Sequence, residues 1–239
     1  MALTALLDGA VLAEKTGAEP RVLALHGWGR TRADWLPALE GVPALAVDLP
    51  GFGASPPPAA GWGSRDYAEL LAPVLADGGW TVAGHSLGGR IALQLAAGWP
   101  DLIDKLVLTG VPSLLRRPTT SKAPLAYRLA RKANALGVLS AERMERQRRK
   151  HGSADYRAAE GVMRDTLVRL VNEDYRELLP AITAPVELVW GAHDTAAPLQ
   201  MVREAAGLLA TAELTVSESS GHLLDEPLYA LLRERLCAG

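Results

Sequence analysis

Six short runs of near-continuous hydrophobicity recur along the chain: RVLALHG (21–27), PALAVDLP (43–50), WTVAGHS (80–86), KLVLTGVP (105–112), PVELVWG (185–191) and AELTVSE (212–218). A strand with one wet face alternates polar and apolar residues, so runs without alternation are strands buried on both faces. Helical patterns separate several of them. TRADWLPALEG offers Thr31 as an N-cap, SRDYAELLAPVLADGG starts at Ser64 and stops at Gly78, and GGRIALQLAAGWP ends at Gly98 ahead of Pro100. Strands alternating with helices predict an α/β fold, a mostly parallel sheet with helices on both faces. Ahead of it, LTALLDGAVLAEKTG reads as a β-hairpin turning at Asp8-Gly9.

One interval breaks the alternation. Between residues 113 and 179 no strand is apparent, and LAYRLARKANALG, SAERMERQRRKHG and SADYRAAEGVMRDTLVRLV have helical spacing, with Ser140 and Ser153 as N-caps and Gly152 as a stop. The division this predicts is a core of residues 1–112 and 180–239 carrying an inserted helical cap, 113–179. The cap holds 15 Lys or Arg against 8 Asp or Glu, leaving 10 against 19 for the rest of the chain.

Bulk properties exclude several classes. A length of 239 residues suits one large domain with an insert. A formal charge of −2 speaks against a dedicated nucleic-acid binder. The opening MALTALLDGAVLAEKTG lacks a basic flank and is broken at Asp8-Gly9, so no signal peptide is expected, and no run of about 18 apolar residues predicts a membrane span. Cys237 is the single cysteine and can form no internal disulfide. A cytoplasmic location is the expectation.

Ligands of open α/β sheets bind at the carboxyl ends of the strands, so catalytic groups should lie just past them. Gly84-His85-Ser86-Leu87-Gly88 follows the strand WTVA and opens the helix GGRIALQLAA. This is the setting in which G-x-S-x-G forms a sharp strand-to-helix turn that exposes a serine hydroxyl, with Gly84 and Gly88 giving the backbones room. A serine needs a base, and the base an orienting carboxylate. His222, in SESSGHLLDEP after the last strand, is the expected base. Asp194, in WGAHDTAAP after the preceding one, is the expected acid, and the order Ser, Asp, His is the one such sheets use. His26 and His85 adjoin glycines in strand-end turns, where structural hydrogen bonds are expected. The loop His26-Gly27-Trp28-Gly29 can turn the Trp28 N–H toward a developing oxyanion, with the Leu87 N–H at the helix start as second donor. The histidines lack metal-ligand spacing, so no metal or other cofactor is expected.

HGWG, DLPGFGAS (48–55), GHSLGG, WGAHDTAAP and SGHLLDEP together resemble the α/β-hydrolase superfamily over the whole chain apart from the cap. The core is most similar to its small-ester hydrolases, including carboxylesterases and the methyl-ester esterase of biotin precursor synthesis, which share the tryptophan of HGWG. The resemblance implies a serine carboxylesterase in which Ser86, Asp194 and His222 form the triad. A serine where some relatives carry a nucleophilic aspartate speaks against dehalogenation and epoxide hydrolysis. Thioester or carbon–carbon hydrolysis, acyl transfer and slow-turnover ligand binding use the same residues and stay open. The expected partner is a small-molecule ester, and the basic cap admits an anionic or carrier-linked one.

Overall fold

The computed structural model describes residues 3–112, 114–115 and 154–237. Eight strands form one sheet: β1 (Thr4–Leu6), β2 (Val11–Thr16), β3 (Val22–Leu25), β4 (Ala44–Asp48), β5 (Trp80–His85), β6 (Ile103–Thr109), β7 (Val186–Gly191) and β8 (Ala212–Ser217). Their order across the sheet is β1-β2-β4-β3-β5-β6-β7-β8. The β1/β2 and β2/β4 pairs are antiparallel and the other five pairs parallel. All six predicted strands are present, but β8 is the edge strand and is only partly buried, because among the described residues no further strand or full helical cover lies beyond it.

The helices are α1 (Ser64–Leu71), α2 (Leu87–Gly98), α3 (Ala154–Ala158), α4 (Gly161–Leu170), α5 (Leu199–Ala206) and α6 (Glu226–Cys237). The two sheet faces are chemically unequal. Leu23, Leu25, Leu45, Val47, Val82, Leu106 and Leu108 share a core with residues of α1, α2 and α5. Ala24, Ala44, Ala46 and Ala83 face the other way, into a core with Trp35, Leu39 and the Leu228, Leu232 and Leu236 stripe of α6. Small side chains on that face leave room for the fully buried Trp35, whose indole N–H donates to the Leu25 carbonyl at 2.9 Å.

Several local expectations change. The β1–β2 hairpin pairs Leu6 with Val11, so its connection is the four residues 7–10, with positive φ at Leu7, Asp8 and Gly9, in place of a two-residue turn. TRADWLPALEG forms only a 3₁₀ turn at Arg32–Asp34. Pro37 lacks the N–H an α-helix there would need. Pro73 likewise ends α1 early, and a 3₁₀ turn carries the chain on through Ala72–Leu75. The stretch SADYRAAEGVMRDTLVRLV divides into α3 and α4 around Gly161, whose φ is +49°. The helices expected over LAYRLARKANALG and SAERMERQRRKHG, the caps Ser140 and Ser153 and the stop Gly152 lie outside the described residues.

Helix α4 returns onto the loops at the carboxyl edge of the sheet. A Cβ on Gly51, in the loop after β4, would lie 2.3 Å from Met163 Sδ, and the Trp62 N–H donates to Thr166 Oγ1 at 3.0 Å. No helix among the described residues is long and apolar enough to cross a membrane.

Candidate active site

Ser86 follows β5 directly and precedes α2, with φ 52° and ψ −109°. A non-glycine residue in this region costs about 1–3 kcal/mol and persists only where its surroundings over-determine it. Here they do. The Ser86 N–H donates to the Thr109 carbonyl at 3.0 Å, and the Arg90 N–H closes the first helical turn on the Ser86 carbonyl at 3.3 Å. Close packing does the rest. A Cβ on Gly84 would sit 2.6 Å from the Gly89 backbone, and one on Gly88 would sit 2.0 Å from the Leu25 carbonyl oxygen. The glycines thus let α2 fold back against β5 and also against the neighbouring strand β3.

His26-Gly27-Trp28-Gly29 leaves the end of β3 beside this turn. A Cβ on Gly27 would lie 2.9 Å from His85 Nδ1 and 3.3 Å from Ser86 Cβ, so the loop passes the serine with no space for a side chain. Gly29 turns the loop away with φ +67°. The Gly88 N–H donates to the His26 carbonyl at 3.0 Å, tying the loop to α2. Among the described residues neither the Trp28 N–H nor the Leu87 N–H has an acceptor. The Trp28 ring packs edge-on to Phe52 at 4.9 Å between centroids, and Phe52 meets the His26 ring at 5.5 Å.

Asp194 and His222 lie past the ends of β7 and β8. Asp194 Oδ2 bonds His222 Nδ1 at 2.9 Å, while Oδ1 accepts the N–H groups of Ala196 and Ala197 at 2.9 and 2.7 Å. With Asp194 ionised, Oδ2 accepts from the Nδ1–H of His222, a tautomer that puts the lone pair on Nε2. A Cβ on Gly110 would lie 3.2 Å from His222 Nδ1, so the imidazole rests on the residue after Thr109, the acceptor of the Ser86 N–H. Ser86 and Asp194 are buried, whereas the His222 side chain is 26% exposed.

The two other strand-end histidines bond to main-chain groups. The Leu49 N–H donates to His26 Nε2 at 3.0 Å, which leaves Nδ1 to donate to the Gly27 carbonyl at 2.7 Å. His85 Nε2 donates to the main-chain carbonyl of His222 at 2.9 Å, joining the β5 end to the loop that carries the imidazole. Its Nδ1 is buried and has no partner among the described residues.

Three supports escaped the sequence reading. Asp48, fully buried at the end of β4, accepts the Arg32 N–H at 2.8 Å, the Arg32 guanidinium at 2.5 Å and the Ala54 N–H at 2.8 Å. It thereby fixes the chain just beyond HGWG. The buried Ser217 and Ser220 and the half-buried Asp225 form a chain of side-chain bonds at 2.6 and 2.7 Å, and Asp225 Oδ1 also accepts the Leu228 N–H at the start of α6. Arg90 is buried on α2. Asp48 carried a readable signal, a carboxylate ending an otherwise apolar strand, which needs donors. Asp225 and Arg90 carried none, because their roles depend on groups distant in sequence or on loop shape.

Residues 22–232 match the Alpha/beta hydrolase family. The chain belongs to that family. Over 232 residues it is 30% identical to a pimeloyl-[acyl-carrier protein] methyl ester esterase of Aromatoleum aromaticum, covering 85% of this chain and 91% of that protein. A stretch of 108 residues is 47% identical to esterase Rv0045c of Mycobacterium tuberculosis, covering 42% of this chain and only 36% of that protein. The solved structure of the same M. tuberculosis esterase superposes with a TM-score of 0.67 at 28% identity, over 98% of this chain and 91% of that one. The protein is thus an enzyme of a hydrolase family whose similar members are named esterases.

Two buried neutral imidazoles make the fold sensitive to acid. Burial pushes His26 below its ordinary value, and burial together with the neighbouring His222 holds His85 down to about 4. In the unfolded chain both titrate near pH 6.5. For His85, between roughly pH 6.5 and 4 the unfolded state binds more protons, so stability present above pH 6.5 is lost as pH falls, by on the order of 1 kcal/mol per pH unit, and His26 shifts in the same direction. Urea unfolding followed from neutral to mildly acidic pH is expected to show this decline. The slope should be shallower in His85→Gln, which keeps a side-chain N–H donor and has nothing to titrate; equal slopes would contradict the assignment.

Proposed function

We propose that the protein hydrolyses a carboxylic ester through an acyl-enzyme, with Ser86 as nucleophile, His222 as base, Asp194 as the group that orients it, and the Trp28 and Leu87 N–H groups as oxyanion donors. The observation that carries this reading is the 2.9 Å bond from His222 Nδ1 to a buried Asp194, at the same sheet edge as the strained Ser86. His222 Nε2 takes the Ser86 proton as Oγ attacks the carbonyl carbon, and the two amides hold the oxygen that becomes negative. Each such donor contributes roughly 3 kcal/mol to transition-state stabilisation. The tetrahedral intermediate collapses, and the alcohol leaves with the proton from Nε2. Water, deprotonated at the same nitrogen, attacks the acyl carbon, and breakdown of the second intermediate releases the acid and restores the serine.

In this reading residues 113–179 act as a cap over a core of 1–112 and 180–239, setting which esters reach Ser86. The packing of Met163 and Thr166 of α4 against loops after β4 supports it. The basic surplus of that segment and the likeness to an acyl-carrier-protein ester hydrolase both favour an anionic or carrier-linked ester. A single cysteine fits a reducing, cytoplasmic setting.

Three measurements test the proposal. Ser86→Ala should lower kcat for p-nitrophenyl esters by about 10⁶-fold and abolish labelling by a fluorophosphonate, with unchanged thermal unfolding; full retained turnover would sink it. Asp194→Asn, which cannot act as an ionised acceptor, should cost about 10⁴-fold in kcat; a loss of only a few-fold would remove Asp194 from its role. For an anionic ester, kcat/KM should fall steeply with added salt while a neutral ester of equal length responds weakly. Parallel salt responses would discard the anionic preference.

A further inference from the structure

The second turn of α2 carries a buried cation that the proposed chemistry does not use. Arg90 is 6% exposed. Removing a guanidinium from water costs several kcal/mol, an expense an apolar residue of similar volume avoids, so the bonds it makes identify what it does. Its Nη1 donates to the Leu170 carbonyl at 2.7 Å, and its Nε to the Pro112 carbonyl at 3.2 Å. Pro112 lies three residues past β6, where the chain leaves the core. Leu170 ends α4, where its carbonyl also accepts the Glu173 N–H at 3.2 Å and the negative end of the helix dipole favours a cation. One side chain therefore holds the outgoing strand end and the returning helix together.

The Pro112 attachment sits close to the Ser86 turn. Residues 109–112 run along the turn that bears Ser86: Thr109 accepts the Ser86 N–H, Gly110 lies beneath the His222 and His85 rings, and Val111 Cγ2 would meet a Cβ on Gly89 at 2.2 Å. Arg90 itself donates its backbone N–H to the Ser86 carbonyl. One turn further along the same face of α2, Gln94 donates to Ser64 Oγ at 3.3 Å. Ser64 Oγ lies 3.0 Å from the Tyr175 hydroxyl, and the Ser64 N–H donates to Glu173 Oε1 at 2.8 Å. The two polar residues of this face, at i and i+4, thus grip the chain over residues 170–175.

We propose that Arg90 is a positioning and specificity residue: it fixes the distance between α4 and the helix that begins at the nucleophile, and so sets the length of ester chain the site accepts. This rests on the esterase reading above. Helix α4 lies over the loop after β4, where Met163 crowds Gly51 and the next residue, Phe52, packs on Trp28 of the HGWG loop, so releasing α4 changes the approach to that loop.

The test compares wild type, Arg90→Lys and Arg90→Gln on p-nitrophenyl esters of increasing acyl length, with hydrogen–deuterium exchange over residues 161–175 as a second readout. For Arg90→Gln, kcat/KM is expected to fall about tenfold more for the longest esters than for the acetate, the effect of losing a charge-assisted hydrogen bond. Exchange should quicken over 161–175 and stay slow in β5 and β6. Arg90→Lys, which can reach one carbonyl, should fall between the two proteins and carries the test if Arg90→Gln does not fold. A uniform loss at every chain length, or unchanged exchange over 161–175, would overturn the proposal. If wild type hydrolyses none of the esters, the esterase reading fails, and the exchange experiment alone still decides whether Arg90 tethers α4.

Discussion

The backbone bend at Ser86 is the constraint on which the rest of the site depends. A positive φ at a serine stands only because β5 delivers it, α2 begins at once, and both are packed too closely for a side chain at Gly84 or Gly88. That closeness in turn requires a flat partner on the β3 side, which the bare backbone of Leu25 provides. The same Leu25 carbonyl lies at the end of the strand that feeds HGWG and accepts the Trp35 indole from the opposite face. Sheet, Ser86 turn and HGWG loop are therefore one packed unit, and displacement of any one of them shifts the others.

Around this unit the polar groups are divided by duty. Asp194 spends one oxygen on two backbone N–H groups and the other on His222, so its direction is fixed before any substrate arrives. His26 and His85 are kept neutral by burial and work as hydrogen-bonding struts between loops. Asp48 plays the corresponding part on the other flank, holding Arg32 and Ala54. The His222 side chain keeps contact with solvent, at 26% exposure.

Much of this was legible in the chain. Strands buried on both faces are continuous apolar runs, and burial on two sides is what makes them recognisable without knowing their neighbours. Ser86, Asp194 and His222 stood out because each follows such a run. Local geometry was harder to read. Pro37 and Pro73 shortened helices that hydrophobic spacing favoured, and the hairpin near Asp8-Gly9 closed with two more residues than its turn signal suggested. Least visible were polar residues whose partners lie far along the sequence. Arg90 meets carbonyls 22 and 80 residues away, and nothing adjacent to it in GGRIALQLAA marks a buried cation.

The chain of hydroxyls from Ser217 through Ser220 to Asp225 has a temporal consequence. It locks the loop bearing His222 to the N-terminus of α6, the last described element, so the imidazole is set only after that helix has docked against the sheet. Ser86 and the HGWG loop are encoded more than a hundred residues earlier. On the proposed mechanism, a nascent polypeptide emerging from the ribosome would carry its serine before its base is in place.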